Sequence, residues 1–329
     1  MRIALDAVGG DFAPDAPVAG AVGALPDLPP TAEIVLLGPQ TEVEAELAKH
    51  GDASGRIRVI DAPQIVGMAE KPLAAVRSKP HSSIGVGLKL QREGSAHAFI
   101  SAGNTGAVMA ASALILGLHQ GVERPAIGAM FPTASKPVLV LDAGANVDTS
   151  PREMRSFAHV GAIYARDVMG RKDPAVGLLS IGEEPEKGNA AVKEAHQLLK
   201  DEQHAFRFVG NVEGRDILAG HVDVVVCDGF VGNVVLKFYE SVAHLFTGLL
   251  QREMEETVLR SEAMGRVFTV LDYSTYGGAP LLGVRGVSII CHGRSSARAI
   301  RNAIGVAARS VERHLSEHIG ADLAGGSAA

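Results

Sequence analysis

Residues 224–233 read Val224-Val225-Val226-Cys227-Asp228-Gly229-Phe230-Val231-Gly232-Asn233. A continuous apolar run rich in β-branched residues is typical of a strand that is buried on both faces of a parallel sheet. The run enters a turn with glycines and polar groups, and a helical pattern follows it. Segments 98–106 and 138–146 have the same form. Because ligands of open α/β sheets bind at the carboxyl ends of the strands, the repetition predicts an enzyme that handles a phosphate-like anion.

Strand-like and helix-like patterns alternate over most of the chain, which indicates an α/β fold with a mainly parallel sheet between two layers of helices. The predicted strands are residues 2–6, 33–37, 56–60, 96–101, 126–131, 138–142, 176–181, 207–209, 222–227 and 287–291. The predicted helices include residues 42–50, 83–93, 105–118, 151–169 and 189–202. No change of composition marks a boundary, so we expect one large α/β/α domain over 1–319 with a helical excursion at 234–272. Residues 320–329 are small and polar, and they predict a flexible tail.

The composition is that of an ordinary globular protein with a large core. The chain has 329 residues, of which 47% are hydrophobic and 21% are charged, and its net charge of -6 gives no reason to expect nucleic acid. It opens on a strand pattern and has no apolar run of the roughly 20 residues that a membrane span needs. We therefore expect a cytoplasmic protein without a signal peptide. Cys227 and Cys291 are interpreted as small buried hydrophobes rather than as a disulfide or a catalytic thiol.

Two helical segments have surfaces whose use the sequence leaves open. In residues 234–258 and the turns that follow, apolar residues recur at helical spacing, which fits a helix pair packed in the core or across a dimer. The alternative is a tip that touches a membrane surface. The last predicted helix, 296–319, has four arginines opposite its apolar side: Arg298, Arg301, Arg309 and Arg313. They form either a solvated face or a docking strip for an acidic partner.

Two further turns join positive side chains to acids and glycines. Residues 181–189 contain three acids and Lys187 between two glycines. A lysine in such a turn is suited to bind phosphate or a developing oxyanion. Residues 210–216 bring Asn211 and Arg215 into another turn after a predicted strand. Both turns are therefore candidates for the binding of an anionic substrate.

Three more candidate features lie in the C-terminal third of the chain. Asn233 and Lys237 stand four positions apart and so share one face of the predicted helix. His292 lies in a turn that ends an apolar run. The glycine- and proline-rich residues 276–283 predict a lid or a binding loop.

Several chemistries are disfavoured because their motifs are missing from the sequence. It has no G-x-x-x-x-G-K-[ST] phosphate loop, no G-x-S-x-G nucleophile elbow and no cluster of cysteine and histidine with zinc spacing. We therefore expect neither an ATPase, nor a serine hydrolase, nor a zinc enzyme. No metal and no cofactor are expected.

Taken in order, the motifs resemble those of the bacterial phosphate acyltransferase (PlsX) family. The matching runs cover nearly the whole chain: 5–11, 101–107, 141–146, 182–188, 210–216, 228–233, 276–283 and 292–293. Two positions depart from the family pattern, because Val8 stands where methionine is usual and Ser180 stands where asparagine is usual. The second departure removes a side-chain amide next to the charged turn at 181–189.

The resemblance implies a reaction, a fold and partners. The reaction converts a long-chain acyl-acyl carrier protein and inorganic phosphate into acyl phosphate, for the synthesis of phosphatidic acid and phospholipids. The implied fold is an α/β/α core similar to that of isocitrate and isopropylmalate dehydrogenases and of phosphotransacetylases. The implied assembly is a homodimer. The family also implies peripheral contact with the cytoplasmic face of the membrane, here through 234–272. An acidic acyl carrier protein is the expected partner, and it favours the arginines of the last helix as its docking strip.

The roles of individual residues follow as a hypothesis from what this reaction needs. Phosphate must attack the thioester carbonyl while the protein stabilises the oxyanion that forms. Phosphate binding is assigned to the turn at 103–106, together with Lys187 or Arg215. Asn233 is assigned to the oxyanion, with Lys187 as the competing candidate, and His292 to protonation of the leaving thiolate. The candidates for substrate binding are Gly103, Asn104, Thr105, Gly106, Asn146, Glu183, Asn211, Arg215, Asp228 and Lys237.

Three alternatives stay open. The first is a phosphotransacetylase-like enzyme that uses a short acyl-CoA. The second is a nicotinamide-dependent dehydrogenase, which is disfavoured because the turn after the first strand, 6–11, lacks the G-x-G-x-x-G pattern. The third is a catalytically silent membrane scaffold built on the apolar helices of 234–272.

Overall fold

The computed structural model of the chain describes residues 1–50, 55–133, 135–203 and 205–325. The strands are β1 Arg2–Asp6, β2 Glu33–Gly38, β3 Ile57–Asp61, β4 Ala98–Ser101, β5 Ala126–Phe131, β6 Val138–Leu141, β7 Ala175–Leu179, β8 Arg207–Val212, β9 Val224–Val226, β10 Ala279–Leu282 and β11 Val287–Ile290. The helices are α1 Asp15–Ala24, α2 Gln40–His50, α3 Pro72–Ser78, α4 Ser83–Arg92, α5 Thr105–Ile115, α6 Pro151–Asp167, α7 Ala190–Lys200, α8 Asp216–Ala219, α9 Gly229–Glu253, α10 Glu256–Leu259, α11 Glu262–Leu271, α12 Ala297–Glu312 and α13 Leu315–Gly325. This architecture confirms the predicted α/β class with a mainly parallel sheet.

The chain forms two compact units. The first contains Met1–Ile127, Ile163–Gly170 and the residues from Tyr276 on, and the second contains Gly128–Ala162 and Arg171–Thr275. The prediction of one large domain over 1–319 stays a prediction. Helix α13 continues to Gly325, within the 320–329 stretch for which the sequence predicts a flexible tail. Residues 326–329 lie outside the described part of the chain.

The first unit is a sheet with helices on both faces. Its strand order is β3-β2-β1-β4-β11-β10, in which the first five strands are parallel and β10 is antiparallel to β11. Alternate side chains such as Ile3 and Leu5 pack in one buried cluster with residues of α1 and α12. On the opposite face, α4 lies so close to the sheet that a Cβ at Gly87 would be 2.5 Å from the ring of Phe99. Helices therefore cover both faces, as expected for parallel strands.

The predicted loop at 276–283 is wrong in its second half. Residues Ala279–Leu282 form β10, which pairs antiparallel with β11 through Pro280 and Ile289 and with the start of β5 through Leu281 and Ile127. The side chains of Leu281 and Leu282 are buried. Proline and glycine are depleted in strands, so the local pattern indicates a loop, whereas burial of the two leucines favours a strand in the folded chain.

The prediction of a single last helix over 296–319 is wrong, because this part of the chain forms two helices. Helix α12 ends at Glu312, and the chain turns at His314, whose φ of 52° lies in the left-handed region, before α13 begins at Leu315. The arginines of the proposed docking strip are all exposed. One of them, Arg301, pairs with Asp27 at 2.7 Å and holds the pKa of that carboxyl below its usual value. Arg313 lies at the break between the two helices rather than within one helical face.

The second unit contains a five-stranded sheet with the order β5-β6-β9-β7-β8. Strands β6, β9, β7 and β8 are parallel, and β5 is antiparallel to β6. The carboxyl ends of β6 and β9 lie side by side, because these two strands pair over Leu139–Leu141 and Val224–Val226. The polar turns that follow them, at 142–146 and 228–233, are therefore neighbours.

Helices α9 to α11 leave apolar side chains exposed. The helix predicted over 234–258 begins earlier, at Gly229, and is interrupted after Glu253. The side chains of Phe238, Leu245 and Phe246 are 71%, 60% and 53% exposed. The prediction that these residues pack in the core is therefore wrong. A dimer contact and a membrane contact stay predictions. Within the described ranges, the helices are too short or too polar to traverse a bilayer.

Candidate functional site

A buried carboxylate organises the turn after β6. The side chain of Asp142 is fully buried and accepts hydrogen bonds from the backbone N–H groups of Gly144, Ala145 and Asn146 at 3.2, 2.9 and 2.7 Å. It also accepts a bond from Asn146 Nδ2 at 2.9 Å. Hydrogen bonds to an ionised carboxylate are stronger than those to neutral acceptors, so four donors fix this turn firmly. Asn146, a candidate for substrate binding, is thus held by Asp142.

The start of α9 is pressed against this turn. The N–H of Gly229 donates to the carbonyl of Asn146 at 2.8 Å. A Cβ at Gly232 would lie 1.8 Å from the carbonyl oxygen of Asp142, so only glycine allows this approach. Asp228 caps the helix by accepting a bond from Val231 N at 2.8 Å. The glycines at 229 and 232 therefore serve the contact between two turns of the protein.

Asn233 lies on the first turns of α9, exposed and beside the organised turn. A Cβ built at Gly144 would be 3.3 Å from Asn233 Oδ1. Lys237 follows one turn later, exposed, and its Nζ pairs with Glu240 Oε2 at 2.8 Å. The structure thus brings Asn233 next to the 142–146 turn, at the positive end of a helix dipole. Lys237 is partnered along the helix.

The charged turn after β7 is anchored from behind by Asn211. The side chain of Asn211 is buried, its Nδ2 donates to the carbonyl of Glu184 at 2.8 Å, and its Oδ1 accepts from His196 Nδ1 at 3.1 Å. The bond with His196 on α7 orients the amide, and the amide in turn holds the carbonyl of Glu184. On the solvent side, Arg215 pairs with Glu183 at 3.3 Å and with Glu213 at 3.1 Å.

Lys187 lies in the same turn with its ammonium group exposed. In the parts of the chain that the structure describes, no carboxylate pairs with it. Ser180, at the end of the preceding strand, has a buried Oγ that finds no hydrogen-bond partner among the described residues. This oxygen is 2.8 Å from the position of a Cβ at Gly188. Ser180 therefore lies under the turn and leaves one polar atom unsatisfied among the described residues.

In the first unit, a buried network organises the turn after β4. Asp6, at the end of β1, is almost fully buried and accepts a hydrogen bond from the Ser101 hydroxyl at 2.7 Å. Ser101 Oγ in turn accepts from the N–H of Gly103 at 3.0 Å. Burial raises the pKa of the Asp6 carboxyl, and its hydrogen bonds to Ser101 and Ser83 oppose the rise. Asp6 and Ser101 therefore hold the start of the 103–106 turn.

Two side chains of the 103–106 turn differ in their environment: Asn104 is buried and Thr105 is exposed. Asn104 caps α5 through Ala107 N at 3.0 Å. Its Nδ2 lies 3.2, 3.0 and 3.0 Å from the carbonyl oxygens of Gly67, Met68 and Glu70. Thr105 is the exposed side chain of the turn. Asn104 therefore ties the 67–70 segment to α5, and Thr105 is the side chain that faces solvent.

His292 is exposed in the turn after β11. Its Nδ1 accepts a hydrogen bond from the N–H of Arg294 at 3.2 Å, which in the neutral ring leaves the proton on Nε2. The two cysteines are buried, and burial raises the pKa of the Cys291 thiol to about 12. Burial raises the pKa of the Cys227 thiol as well. Both thiols are therefore neutral, which confirms their interpretation as small buried hydrophobes.

One cluster of metal-ligand type occurs among the described residues. Asp15, Glu46 and His50 bring their ligand atoms within 4.8 Å of one another. Lys49 pairs with Glu46 at 2.8 Å and neutralises part of the negative charge. The cluster lies on α1 and α2, away in sequence from the polar turns.

Three site features were missed by sequence reasoning. Asp142 and Asp6 are visible in the sequence as acids at strand ends, but only the folded turns show how many donors they collect. The anchoring role of Asn211 has no sequence signal, because it depends on the carbonyl of Glu184. The catalytic and binding assignments themselves stay predictions.

Comparison with known proteins gives the family. A family model described as "Fatty acid synthesis protein" matches residues 1–318. A phosphate acyltransferase of Desulforamulus reducens is 48% identical over 322 residues, which cover 96% of this chain and 95% of the relative. A phosphate acyltransferase of Salinibacter ruber is 47% identical over 311 residues, 92% of either chain. A phosphotransacetylase from Streptococcus pyogenes shares the fold, with a TM-score of 0.63 and 17% identity over 95% of this chain and 94% of that one. The chain therefore belongs to the fatty acid synthesis protein family, together with these curated phosphate acyltransferases.

Proposed function

We propose that the protein transfers the acyl group of a long-chain acyl-acyl carrier protein to inorganic phosphate and releases acyl phosphate. The observation that carries the proposal is the near full-length similarity, at 48% and 47% identity, to proteins named phosphate acyltransferase. Acyl phosphate of this kind is a precursor for phosphatidic acid and phospholipids. The acyltransferase reaction needs no metal or cofactor in this scheme.

The mechanism is a direct attack of phosphate on the thioester. The second pKa of a phosphate monoester is about 6, and inorganic phosphate is similar, so a nucleophilic dianion is present near neutral pH. A phosphate oxygen forms a bond to the carbonyl carbon, and the tetrahedral oxyanion then collapses with cleavage of the carbon–sulfur bond. The carrier leaves as a thiolate and takes up one proton, for which the His292 ring in its protonated, imidazolium form is our candidate donor. The ring regains a proton from the hydrogen phosphate, which becomes the acyl phosphate dianion.

Two groups of the second unit support stabilisation of charge. The Asn233 amide sits at the positive end of α9, where a hydrogen bond to the oxyanion gains from the helix dipole and from the rigid turn at 142–146. Lys187 offers an exposed ammonium without a carboxylate partner among the described residues. We assign Asn233 to the oxyanion and Lys187 to the phosphate. We also assign phosphate binding to the turn at 103–106, which belongs to the first unit.

A trapping assay tests the reaction. Purified protein is incubated with palmitoyl-acyl carrier protein and inorganic phosphate, and hydroxylamine converts any acyl phosphate into a hydroxamate. We expect hydroxamate and free carrier thiol in equal amounts, both dependent on phosphate. Product from a short acyl-CoA but not from the carrier protein would instead establish the phosphotransacetylase-like alternative. Product from neither donor would favour the non-catalytic scaffold.

The place and assembly of the protein are part of the same proposal. We place it in the cytoplasm as a homodimer, with peripheral contact to the inner face of the cell membrane through 234–272. The exposed apolar side chains of α9 and α11 support a contact of this kind. The acyl carrier protein docks on the arginines of α12 and its C-terminal cap, because these side chains are exposed and positive and the partner is acidic.

A further inference from the structure

A groove of about 410 Å³ lies in the second unit at the starts of three helices. Its volume is within the range of roughly 300–1,000 Å³ that is usual for ligand pockets. Half of its lining is apolar and half is polar. The lining residues are Val147, Asp148, Thr149, Met154, Asn189, Ala191, Asp228 and Phe230.

The groove is unsuited to an anion. Two of its lining residues, Asp148 and Asp228, are acids, and none of the described lining residues is a lysine or an arginine. The helix starts are also capped from within. Asn189 Oδ1 accepts from Val192 N at 2.9 Å, Asp228 Oδ1 accepts from Val231 N at 2.8 Å, and Glu153 Oε2 accepts from Ser150 N at 2.7 Å. Phosphate therefore finds here neither a cation nor these backbone donors.

The lining also disfavours a plain hydrocarbon chain. An acyl chain would cover the carboxylates and the Asn189 amide without offering them hydrogen bonds, and the desolvation of such groups is costly. A neutral chain that alternates methylene groups with amides fits both halves of the lining. Its N–H groups donate to carboxylates, and its methylenes pack on Met154 and on the exposed Phe230.

We propose that this groove binds the pantetheine arm of the thioester donor. The inference rests on the proposed function, in which acyl carrier protein and CoA donors share this arm. Asp228 lines the groove, and Asn233 follows five residues later, which is about 7.5 Å along the axis of α9. An extended chain with two amide units spans that distance. The arm in the groove is therefore long enough to bring its sulfur to the residue assigned to the oxyanion.

A pair of matched variants tests the groove. Ala191 lines it on the first turn of α7, whereas the neighbouring Ala190 is exposed and does not. Ala191→Leu fills the groove without removing a cap, and Ala190→Leu adds the same group to the surface. Each variant is assayed with two donors that have the same palmitoyl group, one on pantetheine and one on N-acetylcysteamine, which lacks most of the arm.

We expect the groove variant to raise KM only for the donor that has the complete pantetheine arm. Ala191→Leu raises the KM for the pantetheine donor about tenfold and leaves the KM for the N-acetylcysteamine donor within about twofold. Ala190→Leu changes neither KM by more than about twofold. An equal rise for both donors means that the groove holds the acyl chain, and it overturns the proposal. Unchanged KM values for both donors in Ala191→Leu overturn it as well.

A binding measurement separates this inference from the proposed function. The unreactive methyl thioether of pantetheine is titrated into the folded protein by calorimetry, where no turnover is required. Binding to the wild type and to Ala190→Leu but not to Ala191→Leu supports the groove even if no acyl phosphate is formed. Equal binding to all three proteins, or to none of them, overturns the groove while acyl phosphate synthesis by the wild type stands on its own.

Discussion

At the scale of single residues, Lys187 gives the sharpest test of the charged turn. Its side chain is exposed and has no carboxylate partner in the described part of the chain, so its removal changes the free energy of unfolding by no more than about 0.5 kcal/mol. If it neutralises phosphate in the transition state, Lys187→Ala lowers kcat/KM about 100-fold. Lys193→Ala, which removes an exposed lysine from α7, is the matched control. A normal rate in Lys187→Ala with folded protein would end its assigned role.

The role of Asn233 is tested by whether Asn233→Ala changes kcat or KM. A donor that acts only on the oxyanion stabilises the transition state and not the bound thioester, so Asn233→Ala lowers kcat about 100- to 1,000-fold with little change in KM. Steady-state kinetics over a range of donor and phosphate concentrations measure both. A rise in KM with unchanged kcat would instead mean that Asn233 binds the ground state.

At the scale of elements, Asn104 connects α5 to the segment 67–70. Asn104→Asp keeps the oxygen that caps α5 but replaces the donor that faces the carbonyls of Gly67, Met68 and Glu70. Loss of these part-buried bonds costs about 1 kcal/mol, because the carbonyl acceptors lose their protein donor. We expect faster amide hydrogen exchange in 64–71 with unchanged exchange in α5. Faster exchange in α5 as well would mean that the cap has failed too.

His119 links the chain before β5 to α13, since its Nε2 lies 3.2 Å from Ser316 Oγ. Burial, with a contribution from Arg285, lowers the pKa of His119 from its ordinary value of 6.5. The unfolded chain therefore binds the proton first, and the free energy of unfolding falls as the pH falls below about 6.5. Denaturant titrations at about pH 8 and about pH 5.5 should show a smaller loss in His119→Gln than in the wild type. Equal losses would place the acid sensitivity elsewhere.

Elements with a strong local pattern could be predicted, whereas those defined by their neighbours could not. The Val224–Val226 run predicts its strand because an apolar run of that kind belongs in a parallel sheet. Helix α1 contains Pro17 and Gly20 and lacks an amphipathic pattern, because it is buried against α12. A Cβ at Gly20 would be 2.6 Å from Ile300, so the glycine serves a tertiary contact that no local rule shows.

The same division applies to the site. The polar turns at strand ends are visible as glycine, asparagine and acid after an apolar run. Their division into anchors and exposed groups is not visible, because it depends on hydrogen bonds across the fold. Asn211 is a buried anchor and Lys187 is exposed, although the sequence predicts both in turns that bind an anionic substrate.

At the scale of the whole molecule, the exposed apolar side chains of α9 and α11 need an explanation, because surfaces of this kind mark contacts with lipid or protein. We expect the wild type to float with vesicles that contain anionic lipids. The double variant Phe238→Ser, Leu245→Ser replaces two exposed apolar side chains of α9 with hydroxyls, and we expect it to lose most of this binding. Its activity with a water-soluble short-chain donor and its mass in solution should stay unchanged.

The mass of the variant separates the two interpretations that the sequence leaves open. If the apolar face were a dimer contact, the substitutions would shift the protein toward monomers, since hydroxyl groups would replace the buried apolar area of an interface. Light scattering coupled to gel filtration measures this directly. A dimeric variant that no longer binds vesicles supports the membrane contact. A monomeric variant assigns the face to the partner subunit, and a dimeric variant that still floats means that lipid binds elsewhere on the molecule.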